Sequence, residues 1–148
     1  MDGVQSYAVG QTGWLWDPAN KVPLATITVS SPTLKTSDAG GDTSEYRYFA
    51  TFTVTVTNIA PASSGDTIGP ADTDFYVLAN GSGYGFGQAN AGNTEEAESG
   101  TNYLGYNVGA GGLSSGQSTT GTVTVDVPSR HGSLVYAPNS SDLGTWSY

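Results

Sequence analysis

Carboxylates are the chemically active side chains that this chain holds in the greatest number. Asp38, Asp42 and Glu45 lie in one Gly-containing segment, where their oxygens would suit Ca²⁺. Their spacing does not follow the EF-hand loop, which places ligands at alternate positions and a glutamate at its end. Aspartate also favours turns in solvated loops. We therefore expect turn residues here, and predict neither a bound metal nor a cofactor.

Two further groups of acidic residues could take part in hydrolysis or in cation binding. Asp72 and Asp74 precede an apolar segment and, as alternate residues of a strand, would face the same side. Paired carboxylates perform the acid–base steps of glycoside hydrolysis, but charges beside a strand also protect a sheet edge from pairing. Glu95, Glu96 and Glu98 would attract a cation or a basic partner, although such clusters commonly keep a loop hydrated. The structural role is favoured in both cases.

Nucleophilic catalysis receives little support from the sequence. His131 is the single histidine, and a Ser-His-Asp site also needs a positioned serine and an oxyanion hole. No G-x-S-x-G motif occurs, and one histidine cannot form a two-histidine metal site. We predict that the protein is not an enzyme, with a carboxylate-pair hydrolase as the least favoured alternative.

Aromatic side chains are the best candidates for ligand binding. Exposed and aligned Trp or Tyr rings stack on sugar rings, whereas buried ones build the core of a sandwich. Trp14 and Trp16 share a face if their segment is a strand, and Tyr84 and Tyr103 form a second candidate pair. These four residues are the predicted ligand-binding residues.

Composition limits the classes of partner and compartment. The chain has 148 residues, no cysteine, thirteen acidic and four basic residues, and a net charge of −9. This length predicts one domain, residues 1–148, and the charge argues against nucleic acid and anionic membranes as partners. Only 11% of residues are charged, as is common on exported β domains. No apolar run is long enough to span a bilayer, and we expect any signal peptide to have been removed.

The elements that would position these side chains are strands. Hydrophobic and polar residues alternate over residues 24–31, 46–58 and 119–127, a period typical of half-buried strands. Further strands are predicted at residues 74–79, 102–108, 133–137 and 145–148, with a hairpin turn at Asn80-Gly81. Residues 1–13 form a loose arm or a short edge strand. Residues 87–102 are expected to form a mobile loop.

Short strands separated by turn residues, with no helical period, predict an all-β, immunoglobulin-like antiparallel sandwich of about seven to nine strands. Its core is expected between two inner faces. One face is predicted to hold Tyr48, Ala50, Phe52, Val54 and Val56, and the other to include Ile27, Val123 and Val125.

An ordered series of short motifs extends from about residue 9 to residue 146. It comprises Val9-Gly10-Gln11-Thr12, Phe75-Tyr76-Val77-Leu78, Asn80, Gly83-Tyr84, Leu113, Gly116-Gln117-Ser118, Gly121-Thr122-Val123, Asp126-Val127-Pro128, Leu134-Val135-Tyr136 and Trp146. This order resembles that of small exported proteins, often lipoproteins, of Gram-positive bacteria and actinobacteria. Their domain is similar to the mycobacterial immunoprotective extracellular antigen.

The resemblance implies a secreted or cell-surface, non-enzymatic immunoglobulin-like domain without catalytic residues. We expect a protein-interaction or structural module, and the alternative is a carbohydrate-binding module that uses exposed Trp and Tyr. A protein or a cell-wall glycan would then be the partner. The lipidated cysteine of the family's lipoproteins has no counterpart in this sequence.

Overall fold

Strands are the main regular elements of the described residues. The computed structural model describes residues 4–17, 21–37, 41, 43–85, 102–138 and 142–148. The described residues form ten strands: β1 (Gln5–Ala8), β2 (Thr12–Asp17), β3 (Val22–Val29), β4 (Thr33–Lys35), β5 (Tyr48–Asn58), β6 (Phe75–Ala79), β7 (Ser82–Gly85), β8 (Ser118–Val127), β9 (Ser133–Tyr136) and β10 (Gly144–Ser147). Two short 3₁₀ turns span Ala62–Ser64 and Asp72–Asp74. In the described ranges, no helix is long and apolar enough to cross a membrane.

The strands form two sheets. Sheet A has the order β1-β10-β9-β6-β7 and is antiparallel except where β1 runs parallel to β10. In sheet B, β5 is the central strand. One edge of β5 pairs with β8, and the other pairs with β3 over residues 54–58 and with β4 over residues 49–51. The hairpin partner of β3 is β2, which forms the outer edge of sheet B. Across the sheet the order is therefore β2, β3, β5 and β8, with β4 on the same side of β5 as β3.

The core lies between the inner faces of the two sheets. Every predicted core residue is buried, from Tyr48 at 8% exposure to Ala50, Phe52 and Val54 at 0%. Their assignment to two opposing faces was wrong, because β3 and β8 both pair directly with β5 and so share its inner face. The opposing face comes from sheet A and includes Phe75, Val77, Ala79, Leu134, Tyr136 and Trp146.

The predicted all-β sandwich is confirmed, with ten strands among the described residues instead of seven to nine. Strand β4, which was not predicted, has only three residues, too few for alternation to stand out, and β2 was considered only as a possible strand for Trp14 and Trp16. Residues 5–8 form the edge strand that was the alternative to a loose arm.

The prediction of a strand over residues 102–108 is wrong. The segment is a turn that joins β8 through one bridge, between Tyr103 and Thr122. Gly105 causes the turn with a φ of 98°, and a Cβ there would lie 2.8 Å from the carbonyl oxygen of Pro70. The close backbone approach predicted at this glycine is therefore present without the strand.

The single fully buried tryptophan closes one end of the core. Trp146 is 1% exposed, stacks on Tyr7 with a centroid distance of 5.2 Å, and donates its indole N–H to the carbonyl of Gln11. A Cβ on Gly13 would lie 2.6 Å from the Trp146 ring, so only glycine fits at this position of β2. The indole is thus both packed and hydrogen-bonded, as a buried tryptophan requires.

Tyr148 carries an unsatisfied buried hydroxyl. Its ring packs edge-on against Phe52, and its oxygen is buried without a hydrogen-bond partner among the described residues. Burial raises the pKa of Tyr148 to about 12 from its ordinary value of 10.0. The folded state therefore favours the neutral phenol, and stability that is complete below pH 10 is lost as the pH rises towards 12.

Replacing Tyr148 with Phe removes this hydroxyl and keeps the packed ring. We expect the free energy of unfolding at neutral pH to stay equal or to rise by about 1 kcal/mol. The advantage of the variant should widen above pH 10, because only the wild-type side chain can ionise. Urea unfolding at pH 8 and at pH 11 measures both effects, and a variant less stable than wild type at both values would contradict the assignment.

Candidate functional site

Strand β2 presents its tryptophans on the outer face of sheet B. Gly13 and Leu15 point inwards, and the alternation along β2 directs Trp14 and Trp16 outwards. Trp14 is 46% exposed and lies opposite Thr26, while Trp16 is half-buried opposite Pro23. The pairing with β3 shifts register between Leu15 and Trp16. The structure therefore brings these two predicted residues to one face, with Trp14 the more accessible ring.

The same outer face carries rows of hydroxyl side chains across four strands. We call this surface the threonine face, and it consists of Thr12, Thr26, Thr28, Thr51, Thr53, Thr55, Thr57, Ser118, Thr120 and Thr122. The register places its members opposite one another, so that one row runs from Thr12 through Thr28 and Thr55 to Thr120. Trp14 begins the next row.

Hydrogen bonds between neighbouring hydroxyls hold these rows in place. Thr12 bonds to Thr28 at 3.1 Å, and Thr55 bonds to Thr120 at 2.9 Å. Thr57 and Ser118 form a third pair. In each pair one hydroxyl donates and the other accepts, so one O–H and several lone pairs remain for a ligand. Because threonine also has a stiff χ1, the outward groups are largely pre-organised.

No member of the threonine face is ionisable, although the chain carries a net charge of −9. With strands about 4.8 Å apart and side chains repeating about every 6.8 Å along each strand, the face extends about 14 Å across and about 20 Å along. Thr124, at the end of the β8 row, is 1% exposed, so the accessible surface stops before it. The result is a broad, neutral surface of hydroxyl and methyl groups bordered by Trp14.

The second predicted aromatic pair is separated in the structure. Tyr84 lies on β7 in sheet A, is half-buried, and meets Tyr46 edge-on at 4.8 Å. Tyr103 is half-buried beside β8 and meets Tyr106 edge-on at 5.3 Å. Among the described residues, no ring contact joins Tyr84 to Tyr103. Tyr84 and Tyr103 therefore each pair with a different tyrosine, whereas Trp14 and Trp16 lie on one strand.

The carboxylates considered for hydrolysis hold their own turn. Asp72 and Asp74 lie in a 3₁₀ turn rather than in a strand. Asp74 accepts the backbone N–H of Ala71, and Asp72 accepts that of Thr73. Burial raises the pKa of both carboxyl groups. Asp74 lines a cleft with Tyr76 and Asp72 lines another with Tyr103, while the charge of Asp74 also contributes to the raised pKa of Asp72.

A second carboxylate does share the cleft of Asp74. Asp142 lines this cleft and accepts the hydroxyl of Tyr76 at 3.0 Å through either oxygen. Desolvation and this carboxylate raise the pKa of Tyr76. Buried Tyr136, close enough to Asp74 to interact electrostatically, also has a raised pKa, mainly because of burial. Tyr76 thus keeps its proton and fixes Asp142, which is a structural arrangement.

Several predicted acidic residues lie outside the described part of the chain. These are Asp38, Asp42, Glu95, Glu96 and Glu98. Glu45 is described and exposed. Within the described ranges, no group of three His, Cys, Asp or Glu side chains is arranged to hold a metal ion. His131 is exposed in the turn between β8 and β9, as expected.

The threonine face was missed from the sequence, although its signal was present. Alternate threonines in β5 and β8 indicate only that each strand has a polar face. They become one surface because β3, β5 and β8 pair in a register that aligns their polar positions, and pairing partners are not encoded by alternation.

Comparison with known proteins gives one informative result. No protein-family model matches the chain, and no curated protein is significantly similar to it. The fold resembles the 1.5 Å crystal structure of MPT63, a secreted protein from Mycobacterium tuberculosis, with a TM-score of 0.65 and 20% sequence identity over 100% of both chains. This chain has the fold of MPT63. The resemblance indicated by the ordered motifs is thereby confirmed at the level of the fold.

Proposed function

We propose that the protein is an exported, non-enzymatic module of immunoglobulin-like type. The secreted character of MPT63, the low share of charged residues and the sandwich fold support export. The use of Asp72 and Asp74 as caps of their own turn supports a role without hydrolysis.

We further propose that the ligand is a neutral polysaccharide that lies on the threonine face. The observation that carries this proposal is the aligned, uncharged array of hydroxyls beside an exposed indole. A sugar presents hydroxyls around its ring edge and C–H groups on its faces, which match the O–H and methyl groups of threonine. Trp14 adds a ring on which a sugar face stacks.

A general protein-interaction role receives less support from the surface. It predicts a contiguous apolar patch outside the core. The exposed large apolar residues of the described ranges instead lie on separate segments: Val4, Trp14, Val22, Tyr46, Leu78 and Tyr106. Of these, only Trp14, Val22 and Leu78 are in strands. Single exposed apolar residues of this kind are ordinary on protein surfaces.

Replacing Trp14 with Ala should weaken binding to neutral polysaccharide by roughly tenfold, about 1.4 kcal/mol. The stacking ring is lost while the core is untouched, because Trp14 is exposed. Depletion of the protein from solution by insoluble chitin and cellulose measures this affinity. Leu78→Ala, which removes an exposed side chain from sheet A, is the matched control and should bind as wild type does.

A double replacement of Thr55 and Thr120 by Val tests the hydroxyls separately. Both partners of one hydrogen bond are replaced by side chains of the same shape, so folding should be nearly unaffected. Binding should fall if the hydroxyls contact the sugar. The proposal fails if wild type binds no neutral polysaccharide, or if the Trp14 and double-threonine variants both bind as wild type does.

A further inference from the structure

Both arginines of the chain meet at one buried tyrosine ring. The Cζ atom of Arg47 lies 5.3 Å from the centroid of the Tyr48 ring, and that of Arg130 lies 5.1 Å from it. The strand register explains this, since Tyr48 at the start of β5 pairs with Val127 at the end of β8. Arg47 lies just before β5 and Arg130 lies just after β8, so both are at the same end of the sandwich.

A buried carboxylate positions the backbone of Arg47. Asp126 is 2% exposed and accepts hydrogen bonds from the hydroxyl of Ser44 and from the backbone N–H groups of Glu45 and Tyr46. The Ser44 oxygen in turn accepts the backbone N–H of Arg47 at 2.9 Å. This network fixes the segment that carries Arg47 over the ring, so the arginine is held rather than left on a free loop.

The two guanidinium groups are available to an anion. Arg47 and Arg130 are exposed residues, and no carboxylate in the described ranges forms an ion pair with either. Stacking on a ring uses the flat face of a guanidinium and leaves its N–H edges for oxygen acceptors. Because both carbons lie about 5 Å from one centroid, they are at most about 10 Å apart. Two cations are therefore concentrated on a protein with thirteen acidic residues.

Tyr46 supplies an exposed aromatic ring at the residue next to Arg47 in the sequence. Tyr46 is 41% exposed, immediately precedes Arg47, and is supported edge-on by Tyr84 of sheet A. An exposed ring on the segment that carries one of the two guanidinium groups suits a ligand that is both a sugar and an acid. A phosphate polymer has the negative charge of such a ligand, but it lacks sugar rings on which Tyr46 could stack.

We infer that Arg47 and Arg130 form a binding site for a carboxylated polysaccharide, with Tyr46 stacking on a sugar ring. The site uses none of the residues of the threonine face: Tyr48 begins β5, and Thr55 of the central threonine row lies seven residues further along, about 24 Å away. It depends on different residues and different ligand chemistry. The inference therefore does not rest on the proposed binding of neutral polysaccharide.

Calorimetric titration at low salt tests the site with polygalacturonate, polyphosphate and neutral dextran. Wild type should bind polygalacturonate more tightly than polyphosphate and should not bind dextran at this site. Arg47→Gln and Arg130→Gln should each weaken polygalacturonate binding by at least about tenfold, and Tyr46→Ala should weaken it too. Lys21→Gln removes an equal charge elsewhere and should change the affinity by less than about twofold.

Two further variants distinguish loss of this site from misfolding and from binding at the threonine face. Arg130→Lys keeps the charge but loses the guanidinium fork, so it should bind with intermediate affinity and fold normally. Trp14→Ala should bind polygalacturonate as wild type does, which separates this site from the threonine face. The inference is overturned if polygalacturonate does not bind, if its binding survives loss of either arginine, or if polyphosphate binds more tightly through the same arginines.

Discussion

Val125→Asp is expected to lower the free energy of unfolding by at least about 4 kcal/mol. Val125 is 1% exposed on the inner face of β8 and lies opposite Ala50 of β5. The core cluster that contains Val125 is built from hydrophobic side chains, so an ionised aspartate there would be a buried charge. Because a domain of this kind is stable by only about 5–15 kcal/mol, much of the margin would be lost. Urea unfolding followed by tryptophan fluorescence measures the change.

Val125→Ala is the control for this effect, because it shortens the side chain without adding charge. It should cost about 2 kcal/mol through the cavity that it leaves. If the aspartate variant were as stable as the alanine variant, Val125 would not face the core.

At the neighbouring position, Asp126, a negative charge is expected to stabilise the fold instead of destabilising it. Asp126→Ala is expected to lower the free energy of unfolding by about 3 kcal/mol, because three donors lose their acceptor. Two of these donors are the backbone N–H groups of Glu45 and Tyr46, whose acceptor among the described residues is the Asp126 carboxylate. The same carboxylate that would disrupt position 125 thus stabilises position 126.

Ser44→Ala removes one of these three donors and supplies a graded comparison. It should cost less than Asp126→Ala, about 1 kcal/mol, with some loss of order at Arg47. Thermal and urea unfolding of the two variants check the order. An Asp126→Ala protein as stable as wild type would show that the network does not hold the segment.

The sequence predicted the strands that have a long alternation and one wet face. Tyr48 to Val56 and Val123 to Val127 alternate over enough residues for the period to identify the buried side. Phe49 broke that pattern in β5, and its burial at 0% exposure follows from the tertiary structure. It pairs with Asp126, at the position where the Ser44–Tyr46 segment is bound. Burial of an outward-facing side chain by tertiary structure is not visible in the local period.

Candidate sites were predictable only where one segment carries the signal. Trp14 and Trp16 were found because they are two residues apart on a single strand. The threonine face requires the pairing of four strands, and the Arg47–Arg130 pair requires the β5–β8 register. Both arise from contacts between residues far apart in the chain, whose partners the hydrophobic pattern does not specify.

Backbone-amide NMR during titration with a neutral chito- or cello-oligosaccharide tests the central claim most directly. The ligand is predicted to shift resonances of the threonine face and of Trp14, including those of Thr28, Thr55 and Thr120. Resonances on the outer face of sheet A, such as that of Leu78, should remain unchanged. Shifts confined to sheet A, or no shifts at saturating oligosaccharide, would contradict the assignment of the threonine face as the ligand-binding surface.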